Sequence, residues 1–396
     1  MRHVLISFCL VVMSGAAPAA DAPIHETMPI FPSEKKHNHS SCIVELANGD
    51  LFTVWYTGHG ERNSDDVEIH GARLKKGEKA WGPRIALADT PGYPDCNPAI
   101  FAAPDGSVWM IWPTILDHRW EGALLKFVKA NDHASLRDDP QWDREGVMHI
   151  TPTGFEKAME KAIADLKASG VDTKPYERQL DAALARSKEL IYQRLGWMPR
   201  VHATVLPSGR WIWPLYCDTF SASIMAISDD KGKTWRASAP IIGFGAIQPS
   251  VVRKDDGTLV AFMRENGPTR RIRVSESKDQ GETWSTVKST DFPNPGAGVE
   301  ATRLANGHWA LIYNDLERGR NRLAVSISDD EGKTWKWTRH LEDYPPGGGS
   351  YHYPSIMQGS DGLIHTSYTY GARPEGSRIQ YTKFNEAWIM EGDPKK

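Results

Sequence analysis

Ser228-Asp229-Asp230-Lys231-Gly232-Lys233-Thr234-Trp235 is matched by Ser277-Lys278-Asp279-Gln280-Gly281-Glu282-Thr283-Trp284 and by Ser328-Asp329-Asp330-Glu331-Gly332-Lys333-Thr334-Trp335. The shared pattern is S-x-D-x-G-x-T-W, and it returns after 49 and then 51 residues. Its chemistry is that of a turn. The Asp carboxylate accepts backbone N–H groups, Gly supplies a positive φ, and Trp packs beneath the hairpin as an anchor. These residues are structural and are not counted as catalytic.

A second periodic signal surrounds the first. A short polar turn ending in Gly leads into an apolar strand at Asn48-Gly49, Asp105-Gly106, Ser208-Gly209, Asp256-Gly257, Asn306-Gly307 and Asp361-Gly362. The successive spacings are 57, 103, 48, 50 and 55 residues, so one interval is about twice the others. A period near 50 residues with several strands per unit predicts a propeller, in which each unit buries its faces against its neighbours. Six turns predict an all-β fold, a six-bladed β-propeller.

The long interval holds a different pattern. FEKAMEKAIADLKAS, a Gly170 stop and PYERQLDAALARSKELIYQRL from Pro175 carry apolar residues at helical spacing, as at Ala158, Ala162 and Leu166. The expectation is a two-helix insertion over about 155–196 within one propeller spanning 20–396.

Composition bounds the partners. The 396 residues carry 47 basic against 50 acidic side chains, a formal charge of −3. That balance argues against disorder and against a basic nucleic-acid footprint. Residues 1–19 have a basic Arg2, an apolar run from Val4 to Met13 and small residues at Ala17 and Ala19, the layout of a cleavable signal peptide. The run is too short to span a membrane and no other segment is long and apolar enough, so the expected location is secreted or periplasmic. Cys42, Cys96 and Cys217 then remain, with no C-x-x-C pair. The H-x-H pair His37 and His39 has no third ligand at suitable spacing, so neither a metal nor another cofactor is expected.

The S-x-D-x-G-x-T-W turn resembles the Asp box, or BNR repeat, of the sialidase superfamily. The resemblance covers most of the chain beyond residue 20, is strongest from Ile247 to Tyr370, and looks closest to bacterial sialidase-like proteins of the predicted-neuraminidase type. It implies three arginines on a substrate carboxylate, a Tyr nucleophile assisted by a Glu, and an Asp acid/base. Tyr353, in Tyr353-Pro354-Ser355-Ile356-Met357, matches the nucleophile segment, with Pro in place of Ser. Arg320, with Arg318 as neighbour, fits the third arginine, and IQPSVVRKDDGTLVAFMR places Arg264 on the second.

Two positions depart from the family. Its Glu falls on Gln248, which cannot act as a base. Its first arginine falls on His39, which could bind an acidic group or act as acid/base. Asp65 and Asp66 lie in the loop where the resemblance places the acid. Glu300, opening a later strand, could replace the lost Glu, and Asn97, Asn294 and Asn314 could line the pocket. The resemblance implies an exo-acting glycoside hydrolase removing terminal acidic sugars from glycans. The alternatives are a uronate-specific glycosidase, a polysaccharide lyase or a non-catalytic carbohydrate-binding propeller.

Overall fold

Strand burial follows a gradient that repeats six times. The second strand of the first unit, Leu51–Gly58, is buried at every position, whereas a fourth strand such as Lys288–Pro293 is exposed or half-buried throughout. A strand with sheets on both faces must be apolar on both, while an outermost strand keeps one edge in water. The computed structural model describes residues 22–394 except 138, 139 and 373, and the expected signal peptide lies outside the described residues. It contains six antiparallel sheets arranged as the blades of a propeller.

Blade one is His37–Glu45, Leu51–Gly58, Glu68–Leu74 and Ile85–Ala88. Blade two is Ala99–Ala102, Val108–Ile115, Ala123–Ala130 and Arg144–Val147. Blade three has its inner strand split into Met198–Pro199 and Thr204–Val205, followed by Trp211–Cys217, Ala222–Ser228 and a split outer strand. Blades four and five run from Ala246–Arg253 to Lys288–Pro293 and from Glu300–Arg303 to Trp337–Asp343. Blade six joins Ser350–Gln358, Ile364–Ala372 and Gly376–Phe384 to His25–Pro29. That early strand pairs in register from His25↔Phe384 to Pro29↔Gln380, so two distant segments close the ring.

Both repeated turns fall at one end of this ring. The six Gly turns join first to second strands, and their glycines all have φ between 80° and 92°. The three Asp boxes join third to fourth strands in blades three to five. In the box at Asp330 one carboxylate oxygen takes the Thr334 N–H at 2.8 Å and the other the Thr334 hydroxyl at 2.6 Å, while Ser328 Oγ takes the Gly332 N–H. Trp235, Trp284 and Trp335 pack against the apolar clusters between blades.

The opposite end receives the loops between second and third strands and the links between blades. Helices α1 (Phe155–Ala168), α2 (Glu177–Ser187) and the short α3 (Leu190–Arg194) occupy the link from blade two to blade three. Phe155, Met159 and Ile163 bury one face of α1 in the same cluster as Trp197 and Phe220. Cys42, Cys96 and Cys217 are buried free thiols. No helix among the described residues is long and apolar enough to cross a membrane.

Candidate active site

Four inner strands carry the same irregularity near the axis. In blades one, four and six the register slips between His39 and Cys42, Ile247 and Ser250, and His352 and Ser355. In blade two the bridge Asp95↔Thr114 and the pair Ala99↔Ile111 enclose one extra residue on the inner strand. The inserted residue is left-handed each time, with φ of 58° at Ser40, 42° at Asn97, 55° at Gln248 and 46° at Tyr353. A bulge re-aims a side chain out of the sheet. Such backbone in a Tyr costs about 1–3 kcal/mol and persists only where the surroundings enforce it.

Arg200 is the enforcing group at Tyr353. It is 1% exposed, donates from Nη2 to the Pro354 carbonyl at 2.6 Å and from Nη1 to the Ser41 carbonyl at 3.3 Å. Its guanidinium lies 4.8 Å from the centre of the Tyr353 ring. At Gly298 an added Cβ would stand 3.0 Å from Tyr353 Cδ1, 3.1 Å from Arg200 Nε and 3.2 Å from Gln248 Oε1, so only glycine leaves room for the three side chains.

Two donors converge on the Tyr353 phenol oxygen: Arg264 Nη1 at 2.9 Å and Gln248 Nε2 at 3.1 Å. A guanidinium only donates, so it turns the Gln248 carbonyl oxygen toward itself, at 3.4 Å, and the amide N–H₂ toward the phenol. Negative charge developing on that oxygen would be met by a cation and an amide without rearrangement. Burial opposes the Arg264 charge, but Tyr353, Tyr216 and Asp218 outweigh it and raise its pKa. Arg320 completes this side, donating to His352 Nδ1 at 2.9 Å and to the Gly296 carbonyl at 2.7 Å.

His39 stands edge to face with Tyr353, ring centres 4.3 Å apart, and its Nδ1 is 3.0 Å from the Thr369 hydroxyl. Burial lowers its pKa well below 6.5, helped by His352, His37, Arg320 and Arg200. His39 is therefore a neutral imidazole near neutral pH, not a cationic replacement for the first arginine. His352 is neutral as well, its pKa brought to about 3 by burial and Arg320.

The other expected residues divide. Asn97 reaches the axis and donates to the Tyr216 hydroxyl at 3.3 Å. Arg318 is exposed, with no ion pair or hydrogen bond among the described residues, so the choice between it and Arg320 goes to Arg320. Asn314 binds the Arg322 and Tyr351 carbonyls, and Asn294 takes turn N–H groups at Gly296 and Ala297; both are backbone braces rather than pocket lining. Glu300 is 2% exposed, bonded to His202 Nδ1 at 2.6 Å and to the Ile356 N–H at 2.9 Å, so it is not free to replace the missing Glu as a base. Asp65 is held by His118 at 2.6 Å, and Asp66 by His59 and Ser64, each at 2.5 Å. Hydrogen bonds from Ser64 and His59, outweighing slight burial, lower the Asp66 pKa and favour its anion.

Sequence reading missed Arg200, Tyr216, Glu61 and Asp218. Glu61 accepts the Tyr56 hydroxyl at 2.7 Å. Asp218 follows the end of the second strand of blade three, two residues beyond Tyr216, and its carboxylate has no hydrogen-bond partner among the described residues. Burial lifts its pKa, Arg264 opposes the rise, and Glu121 and Glu61 add to it. The only linear signal for Arg200 was a charged residue inside the apolar run WMPRV. Glu61, Glu121 and Asp218 lie on the loops of blades one to three, with Arg62 beside Glu61, and Arg264 and Arg320 lie on blades four and five. A separate cleft, of about 670 Å³, lies at the turn end between blades one and six. Its lysines and carboxylates are mixed and it has no comparable convergence.

Residues 182–366 match the family described as BNR repeat-like domain. No curated protein matches the sequence. A protein of unknown function from Dyadobacter fermentans superposes with a TM-score of 0.68 at 17% identity, covering 91% of this chain and 98% of that one. The NanB sialidase of Streptococcus pneumoniae gives 0.67 at 13% identity, covering 91% of this chain and 71% of that one. The intramolecular trans-sialidase of Ruminococcus gnavus gives 0.65 at 13% identity, covering 92% and 98%. The family match thus shows a BNR repeat-like segment over residues 182–366, and with the closed six-blade ring already described the structural likenesses show that the chain has the β-propeller fold of these structures.

Proposed function

We propose that this protein is an exported glycoside hydrolase that removes a terminal acidic sugar, of the sialic acid type, from glycans. The observation that carries the reading is the convergence of Arg264 and Gln248 on the Tyr353 oxygen, with Arg320 beside it. The two arginines hold the sugar carboxylate as charge-assisted donors. Tyr353 forms the bond to the anomeric carbon as the bond to the leaving oxygen breaks, and that oxygen takes the proton of Asp218. The phenolic proton passes to His39, whose ring stands edge to face with Tyr353. Water then displaces Tyr353, giving its proton back to Asp218, and His39 returns the first proton to the phenol. A phenol suits this task because an anionic nucleophile would be repelled by the substrate carboxylate.

A second reading is favoured by one observation, the amide of Gln248 where a carboxylate base would serve hydrolysis. In a lyase the Tyr353 oxygen would take the proton beside a uronate carboxylate as its own phenolic proton passes to the departing glycosidic oxygen, and the electron pair of the broken C–H bond would form the double bond. Incubation with sialosides and with uronate-rich polysaccharides separates the two. Free sialic acid supports hydrolysis; an absorbing unsaturated uronate replaces it with elimination; binding without product rejects both.

Asp218→Asn should lower kcat by roughly 10²- to 10⁴-fold, the usual worth of a positioned general acid. Asp65→Asn and Asp66→Asn should stay within a few-fold of the parent. Because Asp218 acts protonated and its pKa is raised, the rate should fall as pH rises past that pKa. Full activity in Asp218→Asn would move the acid to Glu61.

A further inference from the structure

Blade three departs from the pattern of the axial bulges. Its inner strand is split, with Pro199 opposite Leu215 and Thr204 opposite Ile212, so the four residues Arg200 to Ala203 face only Trp213 and Pro214. This break sends Arg200 beneath the Tyr353 ring, where it is sealed from solvent. The Pro354 and Ser41 carbonyls take its Nη groups, Nε has no partner, and no carboxylate lies within ion-pair reach among the described residues. Holding two carbonyls requires donors but not a cation. A fully buried guanidinium without a paired carboxylate is costly, so the charge itself calls for a use.

The charges around Arg200 do not cancel. Burial lowers its pKa, and Glu300 opposes the fall. Glu300 is itself bonded to His202 at 2.6 Å. Burial also opposes a charge on His202, but Cys42 and Glu300 outweigh it, so the ring is an imidazolium. Arg200 and His202 together therefore exceed Glu300 and leave a net positive charge on the closed side of the Tyr353 ring. Arg264 and Arg320 stand at the pocket, where a substrate carboxylate would engage them. Arg200 cannot reach a substrate, so its charge stays available to the phenol.

We propose that Arg200 is a positioning residue that acts through Tyr353, its buried charge stabilising the negative charge that the phenol oxygen carries during the reaction. The inference rests on the reading above that Tyr353 forms and breaks the bond to the anomeric carbon. As water bonds to that carbon, the Tyr353 C–O bond breaks and its electron pair stays on the phenol oxygen until His39 returns the proton. The substrate carboxylate then occupies Arg264 and Arg320, while the Arg200 guanidinium lies 4.8 Å from the centre of the ring over which the charge spreads. Gln248 is an amide and sets no anion against that charge. A fixed cation in a site closed to water acts without rearrangement.

The test is the turnover of sialyllactose, followed as free sialic acid. Arg200→Gln keeps a donor long enough for the Pro354 carbonyl and removes the charge. Its kcat should fall by about 10²- to 10³-fold with KM within a few-fold of the parent, the scale for removing one fixed group from a developing anion. A ring-fluorinated tyrosine at position 353, whose anion needs less support, should then raise the kcat of Arg200→Gln by about tenfold. In the parent chain the same replacement should give no rise, because the charge is already met. A near-parental kcat in Arg200→Gln, or a loss that fluorination leaves unchanged, reduces Arg200 to a brace for the backbone and overturns the inference. A rise in the fluorinated parent also overturns it and needs no Arg200 variant, which covers an Arg200→Gln chain that does not fold. A parent chain that releases no sialic acid, or a Tyr353→Phe protein as active as the parent, overturns the reading of the site and this inference with it.

Discussion

Tyr353→Phe should cut turnover of an acidic glycoside by a factor on the order of 10³ or more, while the acidic sugar still binds. The substitution removes one oxygen from a ring whose packing is set by Arg200 beneath it and His39 at its edge. The fold loses little. What goes is the atom on which Arg264 and Gln248 converge, so the loss belongs to kcat rather than to KM. Arg264→Ala should behave differently, raising KM and lowering kcat together, because that guanidinium would hold both the substrate carboxylate and the phenol oxygen. Arg264→Lys should not rescue it, since a single ammonium cannot reproduce the planar donor pair. Steady-state kinetics with a released-sugar readout, paired with calorimetry on the free sugar, separates the two patterns. A Tyr353→Phe enzyme with near-parental kcat would remove the phenol from the chemistry and leave His39 and Asp218 as the groups to examine.

The fold was legible because its repeated signals are turns. Asp-Gly, Asn-Gly and Ser-Gly pairs and the Asp boxes obey local chemistry that any blade must satisfy, so they recur at similar spacing and can be counted. They all lie at the end of the ring away from the pocket. The pocket end is built from loops that differ from blade to blade, and its residues converge through the closure of the ring. Tyr353, Arg264 and Arg320 were found by resemblance to a family segment rather than by any period.

Charge and burial decided what resemblance could not. His39 reads as a switchable imidazole in the sequence, yet a dry site among His37, His352 and two arginines keeps it neutral. Glu300 and Asp218 read alike as acidic residues near strand ends. One is paired from every side in the interior, and the other is left without a donor at the pocket. Nothing in the sequence separates them, because the distinction depends on which strands the ring brings together. Asn97-Pro98, Gln248-Pro249 and Tyr353-Pro354 were a readable signal: in each, proline follows the left-handed residue of an axial bulge.

Glu300→Gln should cost about 3–5 kcal/mol of stability, the scale for breaking a buried ion pair by removing one charge. Glu300 Oε1 takes the His202 N–H and Nδ1, and Oε2 takes the Ile356 N–H, while His202 Nε2 reaches the Ile43 carbonyl at 2.5 Å. One ion pair thereby links blades one, three, five and six across the axis. Burial alone would lower the His202 pKa, but Cys42 and Glu300 outweigh it and hold it well above 6.5. Glu300 is the carboxylate in direct contact with His202, whereas the Cys42 Sγ donates to the Ile100 carbonyl. Burial likewise raises Glu300, and His202 and Arg200 more than reverse it, so its pKa lies below 4.5. The signs then fix the pH dependence. The Glu300 contribution is present above pH 4.5 and fades as pH falls through its depressed pKa. The His202 contribution is complete below pH 6.5 and fades as pH rises through its raised pKa. Stability from this pair should therefore form a plateau between pH 4.5 and 6.5, extending on both sides by the size of each shift. Urea unfolding across pH should show the plateau in the parent chain and a flatter, lower curve in Glu300→Gln. At a temperature where both are folded, kcat should be equal, because the pair supports the ring without touching substrate. A variant as stable as the parent at pH 6 would show that the pair costs as much to bury as it returns.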